Sequence, residues 1–245
     1  NTTVNNANYT VGSVMKDGTS TTPQNIRWIA GYNGAPTTPI SIARYWLYKF
    51  DNYANAYASW VQMNENSTVR VGQGYTMKGS GVATPTQNYT FVGKPNNGLI
   101  ESNSVSANQI LLAGNPYPCS LDSDAFIKAN ENSITGTLYF WEHYATNNTH
   151  LLHDYQGGYA TRNLVGGIAP SSANVDFISK QGTPSRGIPN RFIPVGQAFF
   201  VMGKIGAAGM INYNNSQRSF HKEDDTANSN VIFRTSPQTN QQWNN

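Results

Sequence analysis

Apolar and polar positions alternate along this chain over short runs, and each run is cut off by glycine, proline, asparagine or serine. Residues 26–29, 44–50, 60–63, 74–78, 88–92, 110–114, 137–141, 159–164, 191–201 and 231–234 all read as strands on that pattern. Residues 44–50 are placed as a central strand, because Tyr45, Trp46, Leu47, Tyr48 and Phe50 crowd large side chains into seven positions. One stretch changes period. In residues 121–129, Leu121, Ala125, Phe126 and Ala129 share a helical face, Ser120 or Asp122 stands where a cap belongs, and Asp122 and Asp124 fall in the first turn. The expected fold is therefore all-β, a sandwich or jelly roll of short strands with one short helix.

The pattern also repeats. Val71-Gly72-Gln73-Gly74-Tyr75-Thr76-Met77 returns as Val195-Gly196-Gln197-Ala198-Phe199-Phe200-Val201, each copy preceded by an aromatic run and followed by an Asn-rich turn region. Self-similarity over that interval predicts two tandem β-sandwich or jelly-roll-like modules, at 1–98 and 99–234, with the helix in the second. Residues 99–106 would carry the junction, residues 2–14 an edge strand or arm, and 235–245 a linker or truncated continuation. The two Gln side chains are expected to bond turn backbone and stiffen the strand entries.

Composition narrows the setting. Charged residues make up 12% of the 245, the net charge is +3, and about one residue in eight is Asn. Uncharged polar faces over aromatic cores suit an extracellular β protein. Without a Lys/Arg cluster, nucleic acid is not an expected partner. No apolar stretch is long enough to span a membrane. The single cysteine, Cys119, excludes an internal disulfide and is expected to be buried.

Candidate chemistry is sparse. His150, His153 and Asp154, with His143 nearby, have metal-ligand character, but an extended chain turns His150 and His153 to opposite faces, so no metal is expected. Glu101, Glu142, Asp154 and Asp176 show no spacing that would pair two carboxyls across a sugar. Calcium is the one cofactor left open, at residues 122–124 or 223–225, where helix capping and a solvated turn explain the acids equally well. Trp28, Trp46, Trp60 and Trp141 are the candidate ligand-binding aromatics, weighed against ordinary core packing. A coplanar exposed pair among them would favour sugar binding. Six Asn-x-Ser/Thr sequons carry little weight in so Asn-rich a chain.

One ordered series of motifs is more specific. Gly114-Asn115-Pro116-Tyr117-Pro118 is followed by Leu121-Asp122 and Asp124-Ala125-Phe126-Ile127, then Thr137-Leu138-Tyr139-Phe140-Trp141-Glu142-His143. It continues through Asp154-Tyr155-Gln156-Gly157-Gly158-Tyr159-Ala160, Ile193-Pro194-Val195-Gly196-Gln197-Ala198-Phe199-Phe200-Val201 and Asn214-Asn215-Ser216-Gln217-Arg218. Together with Gly72-Gln73-Gly74-Tyr75 and residues 91–98, this resembles a region of large flavobacterial (Bacteroidota) cell-surface proteins. There it usually lies just before a type IX secretion sorting domain. The resemblance implies export by the type IX machinery, a place on the outer surface or in the medium, and a stalk or adhesin-like role without catalytic residues. It also lends meaning to Thr226, in an Asp-Thr-Ala sequence matching bacterial O-glycosylation. Cys119 stands where the family commonly has Ser, and no sorting domain follows Asn245, which leads to the expectation of a fragment or processed product.

The resulting expectation is a non-enzymatic structural or adhesive module whose partners are other surface proteins, neighbouring copies or surface glycans. The alternatives are a carbohydrate-binding accessory module, and a filament or sheath subunit whose arm docks on its neighbour.

Overall fold

The computed structural model describes residues 8–50, 59–81, 87–144, 154, 156–171, 183–184, 186–207 and 209–220. The fold is all-β with a short helix. The first half holds β1 (Tyr9–Thr10), α1 (Val11–Val14), β2 (Met15–Asp17), β3 (Gln24–Asn25), β4 (Arg27–Ile29) and β5 (Ser41–Ala43). After a 3-10 turn at Arg44–Trp46 come β6 (Tyr48–Phe50), β7 (Trp60–Gln62), β8 (Thr68–Val69), β9 (Tyr75–Thr76) and β10 (Tyr89–Phe91). The second half holds β11 (Ile100–Val105), β12 (Ile110–Gly114), β13 (Ser120–Asp122), α2 (Ser123–Ala129), β14 (Ile134–His143) and β15 (Gly157–Arg162). It ends with β16 (Gly167–Ile168), β17 (Phe192–Ile193), β18 (Ala198–Gly203), β19 (Gly209–Tyr213) and β20 (Arg218–Ser219).

Two apolar clusters draw mainly on residues 11–69 and on residues 100–213. Val11, Met15, Ile26, Ile40, Ile42, Leu47, Met63 and Val69 form the first. The second is built largely from β11 to β19 and includes Leu111, Phe126, Leu138, Phe140, Phe199 and Tyr213, with Val71 of the first half added. A third, smaller cluster of Phe50, Leu112 and Phe200 draws on both halves.

The main sheet runs β12-β18-β14-β15-β16, and β7-β6-β9 forms a second sheet. An isolated bridge between Gln73 and Ala113 ties one to the other. Gly74 N donates to Leu112 O at 2.8 Å and Gly114 N to Gly72 O at 2.9 Å. The repeated motif thus flanks β12 on both edges, because Ala198 pairs with Gly114 on the other side and Asn115 N donates to Gln197 O at 3.1 Å. The copies share local geometry: Gly72 and Gly196 have φ of +82° and +74°, and each Gln N–H closes on the carbonyl three residues back. Their side chains differ. Gln73 Oε1 accepts from Arg70 N at 3.1 Å, whereas Gln197 Nε2 donates to Ala198 O at 2.7 Å.

Several local expectations need correction. Residues 44–46 are a 3-10 turn, not the start of a strand. Arg44 makes a two-point ion pair with Glu65 (2.8 and 3.1 Å) and donates to Trp28 O (2.9 Å), contacts distant in sequence that overrule strand propensity. Residues 99–106 are no junction but contain β11, paired with β19. Its polar Ser102 and Asn103 are buried, and Ser102 Oγ donates to Val71 O at 2.9 Å, which satisfies a group that made the segment look like a loop. Residues 9–14 are not an arm reaching outward: β1 pairs with β8, and Val11 is buried in the first cluster. The helix begins at Ser123, capped by Asp122 as anticipated, with Leu121 in β13. Phe126 faces the second cluster. Cys119 is only half-buried, its Sγ 3.4 Å from Arg218 Nε.

Asp17 closes the first half. The residue is 2% exposed, and its carboxylate accepts from Thr19 N (2.9 Å), Thr19 Oγ1 (2.6 Å) and Ile40 N (2.8 Å). Burial pushes its pKa up, yet the Thr19 and Ile40 hydrogen bonds outweigh that and hold it below the ordinary value. Asp17→Ala should cost roughly 3 kcal/mol in urea unfolding, since hydrogen bonds to charged groups are worth about 1.5–3 kcal/mol. A depressed carboxyl stabilises fully above the unfolded pKa of about 3.9 and loses that contribution as pH falls through the folded value. Wild-type stability should therefore drop with acid below about pH 4, and Asp17→Ala should flatten part of that drop. An unchanged acid slope in the variant would contradict this role.

Candidate functional site

The acidic residues around α2 are committed to the fold. Asp122 Oδ1 accepts from Asp124 N (3.0 Å) and Ala125 N (3.3 Å), and both its oxygens meet Arg191 (2.8 and 2.7 Å). Asp124 pairs with Arg162 at 3.0 Å, and Arg162 Nε donates to the buried Ser123 Oγ at 2.8 Å. Burial raises the pKa of Asp122, while Arg191 and the helix N–H groups more than offset it. These acids cap and anchor a helix, leaving calcium no evident role there. Residues 223–225 lie outside the described residues.

Glu101 is exposed on β11, and Glu142 is buried on β14, where its Oε1 accepts from Arg186 N at 3.1 Å. Asp154 and His143 are half-buried. His150, His153, Asp176 and Thr226 lie outside the described residues. Among the described residues, no group of three or more His, Cys, Asp or Glu side chains could hold a metal ion.

The four tryptophans go to different places. Trp28 is half-buried against the first cluster. Trp60 packs edge-on against Phe50 and Phe200, with centroids 5.1 and 5.9 Å away. Trp141 packs on Tyr159 at 4.9 Å, and Tyr159 continues to Phe200 at 6.0 Å. Trp60 and Trp141, linked through Phe50, Phe200 and Tyr159, extend an aromatic seam across both halves. Tyr159 is itself 45% exposed, so Trp46 differs in meeting two exposed rings rather than one.

Trp46 ends the 3-10 turn and meets two exposed tyrosines, its chain neighbour Tyr45 and, from a loop the sequence pattern does not link to it, Tyr32. Tyr45 is 39% exposed and Tyr32 59%. The three ring centroids lie 4.6 Å (Tyr32–Tyr45), 5.0 Å (Tyr45–Trp46) and 6.4 Å (Tyr32–Trp46) apart, at 56–79°. None of these pairs is coplanar.

Local sequence explains the display. Gly31, at φ +93°, takes the left-handed turn that carries Tyr32 outward. Ala35 and Ser41 exchange backbone hydrogen bonds of 3.0 and 2.9 Å and close the loop on β5. Further bonds pin the cluster from beneath. Trp46 Nε1 donates to Tyr32 O (2.7 Å), Gln62 Nε2 to Tyr45 O (3.2 Å) and Thr76 Oγ1 to Trp46 O (2.9 Å). Lys78 Nζ donates to Tyr32 O (3.2 Å) and Asn33 Oδ1 (2.7 Å) and sits 5.6 Å from the Trp46 ring centroid. Desolvation there holds the Lys78 pKa below the ordinary lysine value. Chemically, the site offers aromatic surface and amides, with no acid–base pair.

A family model described as "Domain of unknown function (DUF8693)" matches residues 5–245. The chain belongs to that family. No curated protein and no solved structure matches it. The family match spans both copies of the repeat and every residue of the aromatic cluster. Among the described residues, no helix is long and apolar enough to cross a membrane.

Proposed function

We propose that the chain is a non-enzymatic adhesive module of an exported surface protein, binding through its first half. The displayed, hydrogen-bonded cluster of Tyr32, Tyr45 and Trp46 carries this reading. Large aromatics in contact on a surface are costly to leave in water and are enriched where proteins hold partners. The structural commitment of Asp17, Asp122, Asp124, Arg162 and Arg191 supports a role without catalysis. The low charge and the motif series from Gly114 to Arg218 support export to the outer surface or the medium, with the type IX machinery as the route. Residues 9–14 pack within their own fold, so this part of the segment gives no support to a filament subunit with a docking arm; residues 1–7 lie outside the described residues.

Beads coated with the chain should adhere saturably to bacterial cell surfaces and release no product from glycan, ester or peptide substrates. Beads that do not adhere would sink the adhesive reading, and turnover of a substrate would sink the non-enzymatic one.

A further inference from the structure

The exposed rings are small in area and fixed in place. Full burial of an aromatic side chain removes about 150–250 Å², so the uncovered parts of Tyr32, Tyr45 and Trp46 come to on the order of 200 Å². A stable protein partner covers about 800 Å² on each side. The cluster is too small for that and suits one or two sugar rings. An aromatic face is electron-rich, and the C–H face of a pyranose meets it favourably while the sugar hydroxyls turn toward the rim. Here the rim is polar: Asn33 and Gln62 are exposed amides, one beside Tyr32 and the other bonded to the Tyr45 carbonyl. A cationic ligand is disfavoured, because the Lys78 ammonium already lies over Trp46.

Order matters as much as area. The carbonyls of Tyr32, Tyr45 and Trp46 each accept a side-chain hydrogen bond, so the backbone that carries the rings is held before any ligand arrives, and the Trp46 ring is fixed through its own Nε1. That removes part of the entropic cost of binding. Resting on the adhesive reading above, we propose that the Tyr32–Tyr45–Trp46 cluster is a saccharide site, which takes the apolar face of a single pyranose on the exposed Tyr32 ring, with Tyr45 standing at 65° beside it as a wall rather than as a second coplanar platform.

Isothermal titration of the full chain with cellohexaose, xylohexaose and chitohexaose should give binding to at least one, with Kd of about 0.1–1 mM. Tyr32→Ala, an exposed position that leaves the fold intact by near-UV circular dichroism, should weaken binding at least tenfold. Tyr159→Ala, on the seam, should leave binding unchanged. No binding of any of the three up to about 10 mM, or binding that Tyr32→Ala leaves untouched, overturns the site. The coated beads separate this failure from failure of the broader reading. If they adhere while no oligosaccharide binds, the saccharide site falls and the adhesive module stands. If neither binds, both fall.

Discussion

Replacing Gly72 by alanine should cost about 4 kcal/mol of stability, and replacing Gly196 by alanine only about 1 kcal/mol, although the two residues occupy matching places in the repeat. Both adopt left-handed backbone, so both carry the penalty of about 1–2 kcal/mol that an L side chain meets there. Their surroundings set them apart. A Cβ on Gly72 would come within 2.7 Å of Tyr213 Cε2 and 3.0 Å of Ser102 Oγ. Both neighbours are buried, and each is hydrogen-bonded into the same turn, Tyr213 Oη donating to Gly72 O at 3.2 Å and Ser102 Oγ to Val71 O. Neither can give way without breaking a bond between the halves. A Cβ on Gly196 would meet only the Phe91 ring, at 3.6 Å, an ordinary contact. Urea unfolding of both variants checks the contrast. Equal losses would mean that Tyr213 and Ser102 do not confine Gly72.

The second large effect is alkaline. Burial pushes Tyr9 and Tyr117 up to about 12, the nearby Arg218 guanidinium offsetting part of the rise at Tyr117, and it raises Tyr75 and Tyr213 as well. A phenol is charged when it loses its proton, so a raised folded pKa means that the native state keeps a proton the unfolded chain gives up. The stability these groups contribute is complete below the unfolded pKa of about 10 and is lost as pH rises toward the folded values. Each group sheds up to about 1.4 kcal/mol per pH unit, and four together shed about 5 kcal/mol, somewhat less because Tyr9 and Tyr75 are partly exposed. Against a usual stability of about 5–15 kcal/mol, cooperative unfolding is expected between roughly pH 11 and 12. Tyrosinate absorbance and near-UV circular dichroism measured together provide the check. A block of the fourteen tyrosines should ionise only as the dichroism collapses. Smooth ionisation of all of them near pH 10, with the fold intact, would refute the assignment.

Local periodicity made much of this legible. The all-β class, the helix with its Asp122 cap and Phe126 facing the core, and β12 all follow from short-range pattern and capping chemistry. Elements decided by distant partners did not. Residues 44–46 look like a strand until Glu65 takes the Arg44 side chain, and residues 102–103 look like a loop until Val71 accepts from Ser102. The candidate site was half visible. Trp46 stood out by its type, but Tyr32 lies fourteen positions earlier, and only the fold of Gly31 and the Ala35–Ser41 closure brings the two together.

The position of β12 bears on how the molecule comes apart. Its backbone is held on one edge by the first copy of the repeat and on the other by the second. Peeling away either half strips one edge of the strand that the other half needs as its border. The amides of Gly74 and Gly114, which face each other across that seam, cannot meet solvent through fraying of one half alone. The two halves are therefore expected to behave thermodynamically as one cooperative body, with a single melting event and hydrogen exchange at this border set by the stability of the whole.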